Sequence, residues 1–185
     1  MTSLIDPKKY TKTLDLLRSF FLAKNFYEVH TQNRLSILAA CEDPETVATY
    51  NYGGNIWPLP QTGQMWLEYE LLKNPEAPGF FCLSTSYRAE PNPVPGRHET
   101  IFPMFEFEMH GDVHDLKVME IELCEHLGIP LDPENIKTYG EWQDKYSVRE
   151  LDHGHEAAIG RGMITEFPEW TSPFWNMSRN GDGTS

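Results

Sequence analysis

Residues 86–108 read SYRAEPNPVPGRHETIFPMFEFE, and this stretch predicts a β-hairpin. An apolar run ends in Arg88 and Glu90, a loop rich in proline and glycine follows, and a second run carries phenylalanines and two carboxylates. Successive side chains of a strand point to opposite faces, so Arg88 and Glu90 share a face. Antiparallel pairing across residues 91–101 would bring them onto one surface with Phe102 and Glu106.

That surface combines the side-chain types that hold a nucleotide. The guanidinium forks of Arg88 and Arg97 match a triphosphate, and His98 can donate a further hydrogen bond. An adenine needs a flat partner and an acceptor for its amino group, and Phe102 and Glu90 suit these roles. The alternative is an exposed hairpin whose charges only face water. The ordered combination of these residues favours the nucleotide site.

The same ordered pattern resembles the second motif of the class II aminoacyl-tRNA synthetases, in particular the aspartyl, asparaginyl and lysyl subgroup. The resemblance extends from about residue 10 to residue 177. It implies an α+β fold, a mainly antiparallel sheet flanked by helices. It also implies ATP and Mg²⁺ as cofactors and Arg88 as the catalytic residue, in contact with the α-phosphate. Ile101 departs from the family, whose members usually carry Glu at that position.

The other hairpin residues take their expected roles from this resemblance. Glu90 would meet the adenine amino group, and Phe102 would stack on the base. Arg97 and His98 would contact the outer phosphates.

Two further segments resemble the family's amino-acid pocket. The stretch AACEDPETVATYNYGG is similar to a mobile loop, which makes Glu42 a candidate for the α-ammonium group, although an acidic loop residue can simply be solvated. The stretch LPQTGQMWLEYELL predicts a helix after a turn. Its likeness implies that Gln61 and Gln64 border the substrate, while the alternative is that Gln64 only caps or lines the helix start. Leu67 stands where aspartyl enzymes carry lysine, and Glu68 could accept from a side-chain amide, so asparagine is favoured over aspartate.

Periodicity predicts the remaining elements. Apolar residues at helical spacing predict a helix that runs into a strand near residue 28. This segment is similar to the family's first motif, which forms the dimer, so a homodimer is expected. Gln32 stands where the family usually has proline. Residues 113–127 predict an amphipathic helix ended by Gly128. Residues 147–160 predict a second helix, with Ser147 as N-cap and Glu150 in the capping-box place. The apolar positions of the first helix are Tyr10, Leu14, Leu17 and Phe21.

We expect residues 1–185 to form a single catalytic domain that lacks the family's third motif and an anticodon-binding domain, and to have little activity alone. The implied chemistry is attack of an asparagine or aspartate carboxylate on the ATP α-phosphorus, which yields an aminoacyl-adenylate. Two fates of this adenylate stay open: transfer to tRNA, or capture by ammonia in a freestanding asparagine-synthetase-like amide ligase. An alternative of a different class is a non-catalytic paralogue with a regulatory or dimerisation role.

Composition sets the context. With 28 acidic and 15 basic residues the chain carries a net charge of −13, which disfavours non-specific binding to nucleic acid but leaves a specific tRNA contact open. Its three cysteines lie far apart, which is typical of reduced thiols in the cytoplasm. No apolar run approaches 20 residues, so no membrane partner is expected. Histidine spacing does not favour a dedicated metal site.

Overall fold

The computed structural model describes residues 5–31, 46–96, 98–171, 181, 183 and 184. The chain divides into two compact units, Met1–Asp112 and Val113–Ser185. Each unit has secondary structure of its own, and the single-domain expectation stays a prediction.

The first unit holds two helices and five strands in its described part. Helix α1 begins at Pro7, where the Asp6 carboxylate accepts hydrogen bonds from the first backbone N–H groups of the helix. The elements in chain order are α1 (Pro7–Ala23), β1 (Tyr27–Glu28), β2 (Thr49–Tyr52), β3 (Asn55–Pro58), α2 (Gln64–Lys73), β4 (Phe80–Tyr87) and β5 (Ile101–Glu108).

Strands β4 and β5 form the predicted antiparallel hairpin. Their register runs from Phe80 opposite Glu108 to Tyr87 opposite Ile101. Strand β1 pairs with β4 in parallel, which gives a three-stranded sheet in the order β1-β4-β5. Strands β2 and β3 form a separate antiparallel ribbon. The prediction of an antiparallel hairpin is therefore confirmed.

Aromatic rings fill the space between α1 and one face of this hairpin. Phe21 is fully buried and stacks on Phe81 and Phe105, with ring centroids 5.5 Å away in each case. Phe107 lies 4.9 Å from the same ring. A bidentate ion pair between Arg18 and Glu28 ties α1 to β1 beside this core. Helix α1 thus covers one face of the hairpin, and any site lies on the other.

The second unit is built around a fully buried tryptophan, Trp142. Tyr139, Leu151 and Ile159 surround it, and the two short strands pair in parallel. The elements are α3 (Val113–His126), a 3₁₀ turn (Pro133–Asn135), β6 (Ile136–Thr138), α4 (Tyr139–Tyr146), α5 (His153–Ile159) and β7 (Met163–Thr165). The amphipathic helix expected over residues 113–127 is confirmed as α3.

The helix expected over residues 147–160 is wrong. Ser147 does not begin a helix but ends α4, in the left-handed conformation with φ 54°. The next helix, α5, begins after Asp152, whose carboxylate accepts from the N–H groups of Gly154 and His155. Between the two helices the chain turns inward, because Leu151 is buried and its N–H donates to the Tyr139 hydroxyl. The burial of Leu151 in the core therefore separates α4 from α5, although the local spacing of residues 147–160 predicted one helix.

Taken together, helices and mixed sheets make this an α+β protein, as the sequence predicts. Antiparallel pairing dominates the first unit and parallel pairing the second. Among the described helices, none has the length and apolar character needed to cross a membrane.

Candidate functional site

The free face of the β4–β5 hairpin carries polar and aromatic side chains in register. Ser86 lies opposite Phe102, and Cys82 lies opposite Glu106. The Arg88 backbone N–H donates to the Thr100 carbonyl at 2.8 Å, which continues the ladder one residue past β4. Because side chains alternate along a strand, these positions share one face.

Arg88 and Phe102 meet at the loop end of this face. The guanidinium carbon of Arg88 lies 5.8 Å from the centre of the Phe102 ring, a cation–π contact. Arg88 is exposed and Phe102 is half-buried, so both present surface to solvent. The contact joins the expected phosphate-binding and base-stacking groups, whose roles stay predictions.

Glu90 and His98 meet across the loop. His98 Nδ1 lies 2.7 Å from Glu90 Oε2, and both side chains are largely covered, with 33% and 25% of their surface exposed. The Nδ1 atom itself is buried, although its direction toward the carboxylate is not that of a regular hydrogen bond. The His98 N–H also donates to the Val94 carbonyl at 2.8 Å. Two proposed nucleotide ligands therefore contact each other.

Two expected site residues, Glu42 and Arg97, lie outside the described residues. Their predicted roles, in binding the α-ammonium group and the phosphates, stay predictions.

The other end of the face receives the turn before α2. Gln61 is buried, and its Nε2 donates to Thr46 Oγ1 at 2.9 Å. Gln64 is the first residue of α2, and its Nε2 donates to Glu68 Oε1 one helical turn later at 3.0 Å. The Gln64 side chain does not cap the start of α2. The Gln64 backbone N–H donates a hydrogen bond to Thr62 Oγ1.

Glu106 clamps this turn onto the hairpin. Its carboxylate accepts hydrogen bonds from the Thr62 hydroxyl, from the Gly63 N–H at 2.8 Å and from the Ser84 hydroxyl at 2.7 Å. The close approach favours glycine at position 63, since an added Cβ would lie 2.8 Å from Thr31 Cγ2 and 2.9 Å from Cys82 Sγ and one of these groups would have to shift. The carboxylate thus sets the distance between the glutamine-bearing turn and the sheet.

Three carboxylates are concentrated at this end. Burial, followed by the charges of Glu68 and Glu106, raises the pKa of Glu108 to about 7. The neighbouring Cys82 thiol is fully buried, and burial together with the Glu106 charge raises its pKa to about 12. Cys82 therefore stays protonated and does not act as a nucleophile. The electrostatics here favour a ligand group that donates hydrogen bonds and carries no negative charge.

Leu67 in α2 is fully buried and packs with Leu71, Phe80 and Cys82. The preference for a neutral substrate side chain, which the sequence suggested through Leu67, stays a prediction.

Sequence reasoning placed Glu106 and Glu108 on the hairpin face but missed the clamp and the Thr62 and Ser84 hydroxyls that complete it. The available signal was the Glu-x-Glu alternation, which places both carboxylates on one face. Nothing local shows that the turn 44 residues earlier in the chain would bind there. Among the described residues, no group of three histidine, cysteine, aspartate or glutamate side chains is arranged to hold a metal ion.

Solved structures of two kinds of synthetase have a similar fold. Asparaginyl-tRNA synthetase from Pyrococcus horikoshii, complexed with asparaginyl-adenylate, matches with a TM-score of 0.75 at 18% identity, over 92% of this chain and 46% of its own. The Entamoeba histolytica asparaginyl-tRNA synthetase, also with asparaginyl-adenylate, matches at 0.69 with 15% identity, over 94% and 46%. A putative aspartyl-tRNA synthetase from Leishmania major Friedlin matches at 0.72 with 15% identity, over 94% and 47%.

The chain spans less than half of the length of these structures. Neither a protein-family model nor a curated protein sequence matches it. At such low identity the likeness concerns the fold, and it confirms the resemblance that the hairpin motif indicated. The chain has the fold of asparaginyl- and aspartyl-tRNA synthetases.

Proposed function

We propose that this chain carries an adenylate-forming site of the asparaginyl-tRNA synthetase type, in which ATP activates asparagine or aspartate. The observation that supports it best is the two-ended hairpin face. Arg88 and Phe102 mark one end, and the turn clamped by Glu106 marks the other. Residues 102 and 106 are four apart along β5, a separation of about 14 Å in an extended strand. Such a face suits an elongated ligand with a different group at each end.

In this proposal the loop end binds the nucleotide. Phe102 stacks on adenine, Glu90 accepts from its amino group, and Arg88 neutralises charge on the α-phosphate as the amino-acid carboxylate attacks. No covalent protein nucleophile is needed, because positioning and charge neutralisation lower the barrier. Mg²⁺ would bind together with ATP, because this ion is usually held by substrate phosphates and one or two protein carboxylates. The two neighbours solved with asparaginyl-adenylate support this assignment.

The acidic end binds the amino-acid side chain. An amide group can donate to the carboxylates of Glu68 and Glu106, whereas an aspartate side chain would add a further negative charge beside them. Gln61 and Gln64 offer neutral donors and acceptors around the zwitterion. We therefore propose asparagine as the preferred substrate of this site. Homodimerisation through α1 is part of the same proposal.

Nucleotide binding gives the first test. Isothermal titration of ATP into the whole chain and into Arg88→Ala should show at least tenfold weaker binding for the variant, since a charge-assisted contact to phosphate is lost. Arg149→Ala, an exposed arginine of the second unit, serves as the matched control and should bind like the parent. Equal affinity of the parent and Arg88→Ala would contradict the proposal.

Substrate choice is tested by ATP–pyrophosphate exchange on the full-length gene product. Exchange should depend on asparagine more strongly than on aspartate. Adding tRNA or ammonia to the same reaction then identifies the acceptor and separates the synthetase from the amide ligase. Bound ATP with no exchange for either amino acid would favour the non-catalytic paralogue.

A further inference from the structure

The ribbon of β2 and β3 carries large apolar side chains that face water. Within the described part of the chain no further strand pairs with this ribbon, and residues 49–56 are all exposed. Tyr52 has 75% of its surface exposed and Ile56 has 74%. A ribbon of two strands is only marginally stable in water by itself. We propose that this ribbon is a self-association surface, on which β2 of one chain pairs in antiparallel orientation with β2 of a second copy.

The register shows which backbone groups of β2 are open to a partner. Residues 53–54 form a two-residue turn, and Tyr52 lies opposite Asn55 beside it. In a hairpin of this kind the pair next to the turn is hydrogen-bonded, and bonded and non-bonded pairs then alternate along the ribbon. The N–H and C=O groups of Thr49 and Asn51 therefore point away from β3, toward the free edge of β2.

The outer edge of β3 is a poorer template for pairing. Its outward positions are Ile56 and Pro58, and proline has no N–H to donate. Residues 49–52 of β2 contain neither proline nor a charged side chain, which are the means by which proteins usually prevent unwanted strand pairing. The edge of β2 is therefore the one that a second strand can extend.

Charge favours a second copy of this chain as the partner. A net charge of −13 makes two copies repel each other as they approach. The ribbon sequence TYNYGGNIWP, residues 49–58, contains no charged side chain. Two ribbons can therefore meet without placing like charges against each other. This surface is separate from the α1 contact that is part of the proposed function.

A two-fold axis beside Tyr50 lets the edge of β2 pair with itself. Thr49 of one chain would exchange hydrogen bonds with Asn51 of the second copy, and the symmetry repeats this pair. Tyr50 and its copy would form the non-bonded pair at the centre, with Cα atoms about 4.5 Å apart and both rings on one face. Trp57, opposite Tyr50 on β3, would extend this row of rings. The paired edge is short, so the association should be weak and depend on concentration.

Sedimentation of the whole chain over about a hundredfold range of concentration measures this association. We expect the mean mass of the parent to rise with concentration. Asn51→Pro removes an outward N–H from β2 and should weaken the association about tenfold, since the symmetry removes this donor from both copies. Ile56→Pro removes an outward N–H from β3 and is the matched control, which should associate like the parent. An α1 dimer would persist in both variants, so the two contacts are distinguished.

A disulfide trap tests the register without changing the backbone of the edge. In Tyr50→Cys the two thiols would face each other across the axis at a distance that a disulfide can span, so oxidised glutathione should produce a covalent dimer. Tyr52→Cys is the control on the same strand and the same face. Its copies would be offset by about 13 Å along the strands and should not cross-link. The parent controls for the native cysteines.

Three results would overturn the inference. The first is a parent mass that does not rise with concentration. The second is equal association of Asn51→Pro and Ile56→Pro, and the third is equal cross-linking of Tyr50→Cys and Tyr52→Cys. If Asn51→Pro does not fold, the cysteine pair still decides the question.

Discussion

The Glu106 clamp leads to a prediction that can be worked through in free energy. In Glu106→Ala the Gly63 N–H and the hydroxyls of Thr62 and Ser84 all lose their acceptor. Hydrogen bonds to charged groups are worth about 1.5–3 kcal/mol each, but Glu106 is only half-buried, so we take about 1 kcal/mol for each of them. Removing the charge relieves repulsion with Glu108, which returns about 1 kcal/mol. The expected net loss is about 2 kcal/mol of unfolding free energy.

The assay combines urea denaturation with hydrogen exchange. The unfolding free energy of the parent and the variant follows from linear extrapolation. Exchange of the Gly63 amide should become faster in Glu106→Ala, because this N–H loses its acceptor. Glu106→Gln, which keeps an oxygen acceptor without the charge, should lose about half as much. The control Glu99→Ala changes an exposed carboxylate and should stay within about 0.5 kcal/mol of the parent.

A loss below about 1 kcal/mol for Glu106→Ala, with the Gly63 amide still protected, would refute the clamp. The turn before α2 would then be held by the other contacts of this region, among them the apolar packing of Leu67 and Leu71 and the Gln61–Thr46 hydrogen bond.

Three further outcomes test other parts of the structure. The pKa of Glu108 is raised from 4.5 to about 7, so its contribution to stability is present below pH 4.5 and is lost as pH rises through 7. In urea titrations the stability of Glu108→Gln relative to the parent should therefore be greater at pH 8 than at pH 5, by about 1–2 kcal/mol after a discount for partial exposure. A difference between the two proteins that does not change with pH would argue against the shift. Gly63→Ala should lower stability by about 1–3 kcal/mol, because its Cβ collides with Thr31 and Cys82, whereas Gly140→Ala, with an open helical site, should raise it slightly. Phe21→Ala should cost about 3–5 kcal/mol and Leu22→Ala, which is 54% exposed, less than 1 kcal/mol in thermal and urea unfolding; comparable losses would contradict the aromatic core.

Local patterns account for the part of the fold that the sequence predicted correctly. Strand alternation depends on a period of two residues, which is why the hairpin face with Arg88 and Phe102 was predictable. Helical spacing did the same for α1 and α3. The capping prediction at Ser147 failed because Ser and Glu three residues apart occur at many positions, and the two real capping boxes begin at Thr138 and Asp152. The burial of Leu151 fixes the start of the helix at Asp152 instead of Ser147, and this burial depends on tertiary packing.

The hairpin, its facing residues and the chemistry that those residues offer could be predicted from the sequence, because each of these follows from spacing over fewer than about 25 positions. The folded structure was needed to show that Glu106 binds the turn of Thr62 and Gly63, that Leu67 packs in the core, and that His98 lies against Glu90. These contacts depend on groups far apart along the chain or on the choice among several possible partners. A carboxylate accepts from any donor in reach, and which donor arrives depends on how helices and sheet pack, which no local pattern records.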